Sequence, residues 1–136
     1  MNISESEIKS LLNRYKKITV YGLSPDRQKA SHYVPEYIRG QGWDVVGVYP
    51  KVHSENNFSI YQTLVEVPQE YRKFLNVFRA SEKIPDLVNE VLALGSVEVL
   101  WLQLGIKNQV AEALAEKSNL TVVSDRCLII EHKKWF

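Results

Sequence analysis

Residues Ile18-Thr-Val-Tyr-Gly-Leu-Ser-Pro-Asp-Arg-Gln-Lys-Ala-Ser31 pass from an apolar strand through an exposed turn to the start of a helix. The run 18–21 reads as a buried strand. Gly22 allows a turn and the close approach of a ligand, and Ser31 is placed to cap the helix that follows. In an open α/β sheet this junction holds phosphate, because unpaired N–H groups at a helix start favour an anion. Arg27 adds a full positive charge within the turn. The stretch lacks the G-x-G-x-x-G spacing of a standard dinucleotide fingerprint, so Gly22 and Ser31 also have a plain structural reading as turn and cap.

The same alternation continues outward. Ser4-x-x-Glu7 resembles a capping box, and the stripe Ile8, Leu11, Leu12 predicts a lead-in helix over 4–14. The first strand is 17–22. A helix from about 31 to 40 would turn Tyr33, Val34, Tyr37 and Ile38 to the core and end at Gly40 and Gly42, with Pro35 in its first turn. Asp44 to Tyr49 is a second strand, apolar enough for cover on both faces, and Pro50 stops it. Residues 51–57 read as polar loop, and 58–67 fit a short extended piece and one helical turn ended by Pro68.

The third predicted strand is Phe74–Phe78. Ser81 is expected to cap a helix carrying Ile84, Leu87, Val88, Val91 and Leu92, closed by Gly95. Val97–Leu102 is the fourth strand. Asn108 caps a helix with Val110, Ala111, Leu114 and Ala115 inward, and Leu120–Val123 is the fifth strand. The tail from Cys127 begins apolar and ends Lys133-Lys-Trp-Phe136. Strands alternating with helices at this spacing imply right-handed crossovers. The expectation is an α/β, doubly wound, parallel five-stranded sheet forming one domain over 15–136, preceded by the helix of 1–14.

Composition narrows the function classes. The 136 residues carry a net charge of +1, with 45% hydrophobic and 24% charged residues, so no concentrated basic surface calls for nucleic acid or an anionic membrane. No apolar run approaches the ~20 residues that span a bilayer, and no signal peptide is visible. A single cysteine, Cys127, excludes an intrachain disulfide and fits a reducing compartment, so a cytoplasmic location is expected.

Ligands of such sheets lie outside the carboxyl ends of the strands. At the end of the second strand an NAD-binding sheet would place an acidic residue on the ribose hydroxyls; here Pro50 and Lys51 stand instead. A cation there suits a phosphorylated ribose, as in NADP or coenzyme A, although an exposed lysine is also ordinary surface. After the third strand, Phe78 could line an adenine pocket and Arg79 could reach a phosphate, or pair with Glu82 on the surface. Cations at three strand ends together favour a phosphate-rich nucleotide.

The ordered set Gly22-Leu-Ser-Pro…Arg27…Ser31, Val48-Tyr-Pro-Lys51, Asn76-Val-Phe-Arg79, Trp101-Leu-Gln-Leu-Gly-Ile106 and Asp125-Arg-Cys127…Glu131-His132 resembles the single-domain CoA-binding proteins. That family is similar to the CoA-binding domain of succinyl-CoA synthetase α subunits. The resemblance spans roughly 15–133 and implies a Rossmann-type domain binding coenzyme A or an acyl-CoA. It implies diphosphate at Gly22, Leu23, Ser24, Arg27 and Ser31. Pro50, Lys51, Phe78 and Arg79 would frame the adenosine 3′-phosphate, with Gln103 and Gly105 along the pantetheine. Departures from the family pattern fall at Tyr49, at Phe58-Ser59, which lacks a glycine, and at Arg72-Lys-Phe, which lacks an acidic residue.

Few residues suggest chemistry. His32, His53 and His132 lack a zinc-like spacing with cysteine or carboxylate, so no metal is expected. Cys127 has two readings: a thiol activated by Arg126 that could form a mixed disulfide with CoA, or a small buried residue at a strand end. The sequence therefore predicts a non-catalytic CoA-binding module. The alternatives are an NADP-dependent oxidoreductase and a CoA-responsive regulatory subunit, self-associated or bound to an enzyme partner.

Overall fold

Six strands, β1 (Lys17–Tyr21), β2 (Asp44–Val48), β3 (Ser59–Tyr61), β4 (Phe74–Val77), β5 (Val99–Leu102) and β6 (Thr121–Val123), form one sheet in a computed structural model that describes residues 3–136. All pairings are parallel, in the order β3-β2-β1-β4-β5-β6. The strand order reverses beside β1, which lies between β2 and β4. The sheet has one strand more than the five expected. Residues 59–61 pair with Val46–Val48 at the edge, and a three-residue strand is too short to show an alternating pattern in sequence.

Helices cover both faces: α1 (Glu5–Arg14), α2 (Ala30–Gly40) and α5 (Leu128–Trp135) on one, α3 (Ile84–Leu94) and α4 (Gln109–Lys117) on the other. Alternate strand residues divide between two cores, as the pleat requires. Phe74, Val99, Trp101 and Val123 join Ile8, Leu12, Val34 and Ile38. Leu75, Val77, Leu100 and Leu102 join Ile84, Leu87 and Val88. Burial on both faces explains why these strands read as continuous apolar runs.

Local signals set three of the helix ends. Ser4 and Glu7 form the capping box of α1, Gly95 closes α3 in the left-handed region, and Asn108 Oδ1 accepts the Ala111 N–H to start α4. Several expectations are corrected. Ser31 does not cap α2: the cap position is Lys29, whose side chain makes no cap bond. Ser81 opens a single 3-10 turn, Ser81–Lys83, and its Oγ accepts the Lys107 N–H instead of capping α3.

Tyr33, Val110 and Leu114 face solvent, at 46%, 79% and 40% exposure. The inward face of α4 is Ala111, Glu112 and Ala115, because the Glu112 carboxylate folds back to accept the Asn108 N–H. Pro35 lies in the interior of α2, beyond the first turn. The polar segment 51–57 contains a 3-10 turn, Glu55–Asn57, with Asn56 and Asn57 both at φ 58°.

Candidate binding cleft

The opening stretch folds as a strand, loop and helix start anchored by backbone bonds to β2 and within the loop. Gly22 has φ +93°, and a Cβ on it would run into the Phe78 carbonyl, so glycine is required where β1 passes the end of β4. The N–H groups of Gly22 and Leu23 both donate to Val48 O, at 2.8 and 3.2 Å. Leu23 is wholly buried over β2, where a Cβ on Gly47 would come within 2.6 Å of its own Cβ. The loop therefore lies flat on β2.

Ser24 is clamped at three atoms. Its N–H donates to Ser31 O at 3.3 Å, its carbonyl accepts the His32 Nδ1–H at 2.7 Å, and its Oγ accepts the Asp26 N–H at 3.0 Å. Ser31 O is available because the residue four positions on is Pro35, which has no N–H to give it. Asp26 accepts from Gln28 and Lys29. Among the described residues, no acceptor faces the N–H groups of Arg27, Ala30 or Ser31. The start of α2 is thus uncapped, with unpaired donors and the positive end of the helix dipole.

That helix start opens on a cleft of about 270 Å³ at the carboxyl ends of β1, β2 and β4, where the strand order reverses. Gly22, Ser24, Lys29 and Ser31 line one side, Val48, Tyr49, Pro50 and Gln62 another, and Tyr21, Phe78 and Arg79 the third. Its two cations are Lys29 and Arg79. Arg79 donates through Nη1 to the Tyr21 hydroxyl at 3.2 Å, while its Nε is buried without an acceptor. Burial, with the Glu90 carboxylate, pushes the Tyr21 phenol above its ordinary value against the opposing charge of Arg79. Among the described residues, the lining contains no carboxylate, histidine or cysteine, so it offers aromatic faces and anion donors without an acid–base pair.

The structure gathers Gly22, Ser24, Ser31, Pro50, Phe78 and Arg79 in this cleft and leaves other candidates outside its lining. Leu23 supports it from the core. Arg27 reaches to Glu55, with Nη2 and Nε at 2.7 and 2.8 Å from one carboxylate oxygen, and Lys51 is exposed. Arg79 turns to Tyr21 instead of Glu82. Gln103 is buried, its Oε1 accepting from Asn76 and from the N–H of Leu128, while the Gly105 N–H donates to Asp125. Cys127 is half-buried at the cap of α5.

Sequence reading missed Tyr21, Lys29, Val48, Tyr49 and Gln62 as lining residues. Lys29 was legible only with the helix start placed one residue earlier. Gln62 needed β3 to be recognised as a strand, since it follows that strand's carboxyl end. Among the described residues, no cluster of histidine, cysteine and carboxylate could hold a metal, and no helix is long and apolar enough to cross a membrane.

Comparison with known proteins identifies the family. The family described as "CoA binding domain" matches residues 16–133. Uncharacterized protein YneT of Bacillus subtilis (strain 168) is 31% identical over 131 residues, covering 96% of each chain. Among solved structures, cell-free ID.343 from Thermus thermophilus superposes with a TM-score of 0.88 at 33% identity, covering 98% of this chain and all of that one. A hypothetical protein from Pyrococcus horikoshii OT3 gives 0.90 at 26% identity, covering 98% of this chain and 93% of its own. With its fold, its cleft and the match over most of its length, the chain belongs to the CoA-binding-domain family.

Proposed function

We propose that the cleft binds coenzyme A or an acyl-CoA and that the protein works as a binding module without catalysis of its own. The reading places the diphosphate on the unpaired amides of Ala30 and Ser31 beside Lys29. The adenosine end, with its 3′-phosphate, lies between Pro50, Phe78 and Arg79. One observation carries it: an uncapped helix start and an arginine with a buried, unpartnered Nε converge on one cleft at the strand-order reversal. Both features suit a ligand with several phosphates, and the aromatic walls suit a base. The cleft is close to the lower end of the about 300–1,000 Å³ typical of ligand pockets, so it takes one end of so long a ligand and leaves the rest along the surface.

Calorimetry on the full chain with CoA, 3′-dephospho-CoA and NADPH tests the reading. CoA is expected to bind, and loss of the 3′-phosphate to weaken binding about tenfold or more, the worth of one charge-assisted contact. Tighter binding of NADPH than of CoA would overturn it in favour of an oxidoreductase.

A further inference from the structure

Two histidines outside the cleft hold the loop that shapes it. His53 accepts the Glu55 N–H at Nδ1, at 3.2 Å, which leaves its proton on Nε2 to be donated to Leu23 O at 2.9 Å. His32 carries its proton on Nδ1 for Ser24 O, and its Nε2 accepts from the Asn56 amide at 3.4 Å. Asn56 is itself fixed: its side-chain amide also donates to Glu36, and its main-chain carbonyl accepts from Arg39 Nη1 at 2.8 Å. Each imidazole thus has its tautomer set by a neighbour and offers one N–H to one of two consecutive carbonyls. Neither ring lines the cleft.

We propose that His53 and His32 are positioning residues for anion recognition: by taking the Leu23 and Ser24 carbonyls they hold those oxygens off the cleft and keep the unpaired amides of α2 facing it. This rests on the reading that the cleft binds CoA. The physical need is direct. A carbonyl oxygen turned toward a phosphate repels it, whereas a loop fixed in advance loses nothing to reorganisation when the anion arrives. The segment 53–57 is then a brace for the phosphate-binding loop, with the Arg27–Glu55 ion pair as a further strut.

The test compares wild type, His53→Ala and His53→Gln, because the Gln amide nitrogen reaches about as far as the imidazole Nε2 and restores the donor. His53 is half-buried, so folding of these variants is checked by thermal unfolding. Two readouts are taken: hydrogen exchange of the amides of residues 22–31 in ligand-free protein, and CoA affinity by calorimetry. Faster exchange and about tenfold weaker CoA binding in His53→Ala, both restored in His53→Gln, support the proposal. Unchanged loop exchange in His53→Ala overturns it, as does His53→Gln behaving like His53→Ala. If wild type binds no CoA while the exchange arm behaves as expected, the pinning stands and the CoA reading fails. His32→Asn, which keeps a donor near the Nδ1 position, should likewise retain slow exchange at Ser24 where His32→Ala loses it.

Discussion

Arg79 is the residue on which ligand affinity should depend most directly, since it lines the cleft as one of its two cations and also holds a buried Nε that no protein acceptor satisfies. Arg79→Ala is expected to weaken CoA binding by about 1.5–3 kcal/mol, read by calorimetry. The same change removes the charge that opposes the rise of the Tyr21 phenol, so ultraviolet titration should find Tyr21 ionising at still higher pH. A second residue-scale effect lies far from the cleft. His132 is stacked on Phe136, 5.1 Å between centroids, edge-on to Tyr37 and Trp43, and burial together with the Lys16 ammonium lowers its pKa from the ordinary 6.5. The unfolded chain takes up this proton first on acidification, so the stabilising effect is complete above about pH 6.5 and is lost as pH falls toward the folded-state value. Thermal unfolding from pH 7.5 downward should fall more steeply for wild type than for His132→Phe, and equal slopes would remove this origin.

At the scale of elements, the junction of β1, β4 and α2 decides whether a cleft exists. Gly22→Ala forces a side chain into the left-handed region and against the Phe78 carbonyl. A loss of at least about 1–3 kcal/mol in urea unfolding is expected, with CoA binding weakened as well because the β1 and β4 ends form two walls of the cleft. The start of α2 shows where sequence reading and structure part. Ser31 looked like the cap because serine leads cap preferences. Clamping of Ser24 instead draws the helix back to Ala30 and puts at the cap a lysine, whose ammonium has no acceptor to offer. That shift depends on bonds made between Ser24 and residues of α2, which leave no mark in the local sequence.

Across the whole molecule, the layered architecture was legible because burial on both sides makes each main strand an apolar run, and because capping residues such as Ser4, Gly95 and Asn108 punctuate the helices. The extended piece and turn read within 58–67 are present as 59–61 and Leu64–Glu66; what escaped depended on tertiary partners: the pairing of 59–61 with β2 as an edge strand, the solvent-facing Val110 and Leu114, and the cleft residues Lys29 and Gln62. The family match begins at residue 16, yet α1 buries Ile8, Leu11 and Leu12 in the same core as Phe74 and Trp101, and Glu5 joins Arg126 and Lys134 in an ion-pair group with Glu131. This helix is therefore integral to the domain. Leu12→Ala should cost about 2–5 kcal/mol in urea unfolding, the range for a buried leucine, and a loss below about 1 kcal/mol would mark α1 as a mere appendage. The proline inside α2 has a consequence for anyone moving this loop to another parallel sheet. Because Pro35 frees Ser31 O from a competing helical N–H and leaves it to Ser24, the transplantable unit runs from Gly22 to Pro35. It also needs a glycine at the position of Gly47 in the neighbouring strand; a graft ending at Ser31 would carry the motif and lose its anchorage.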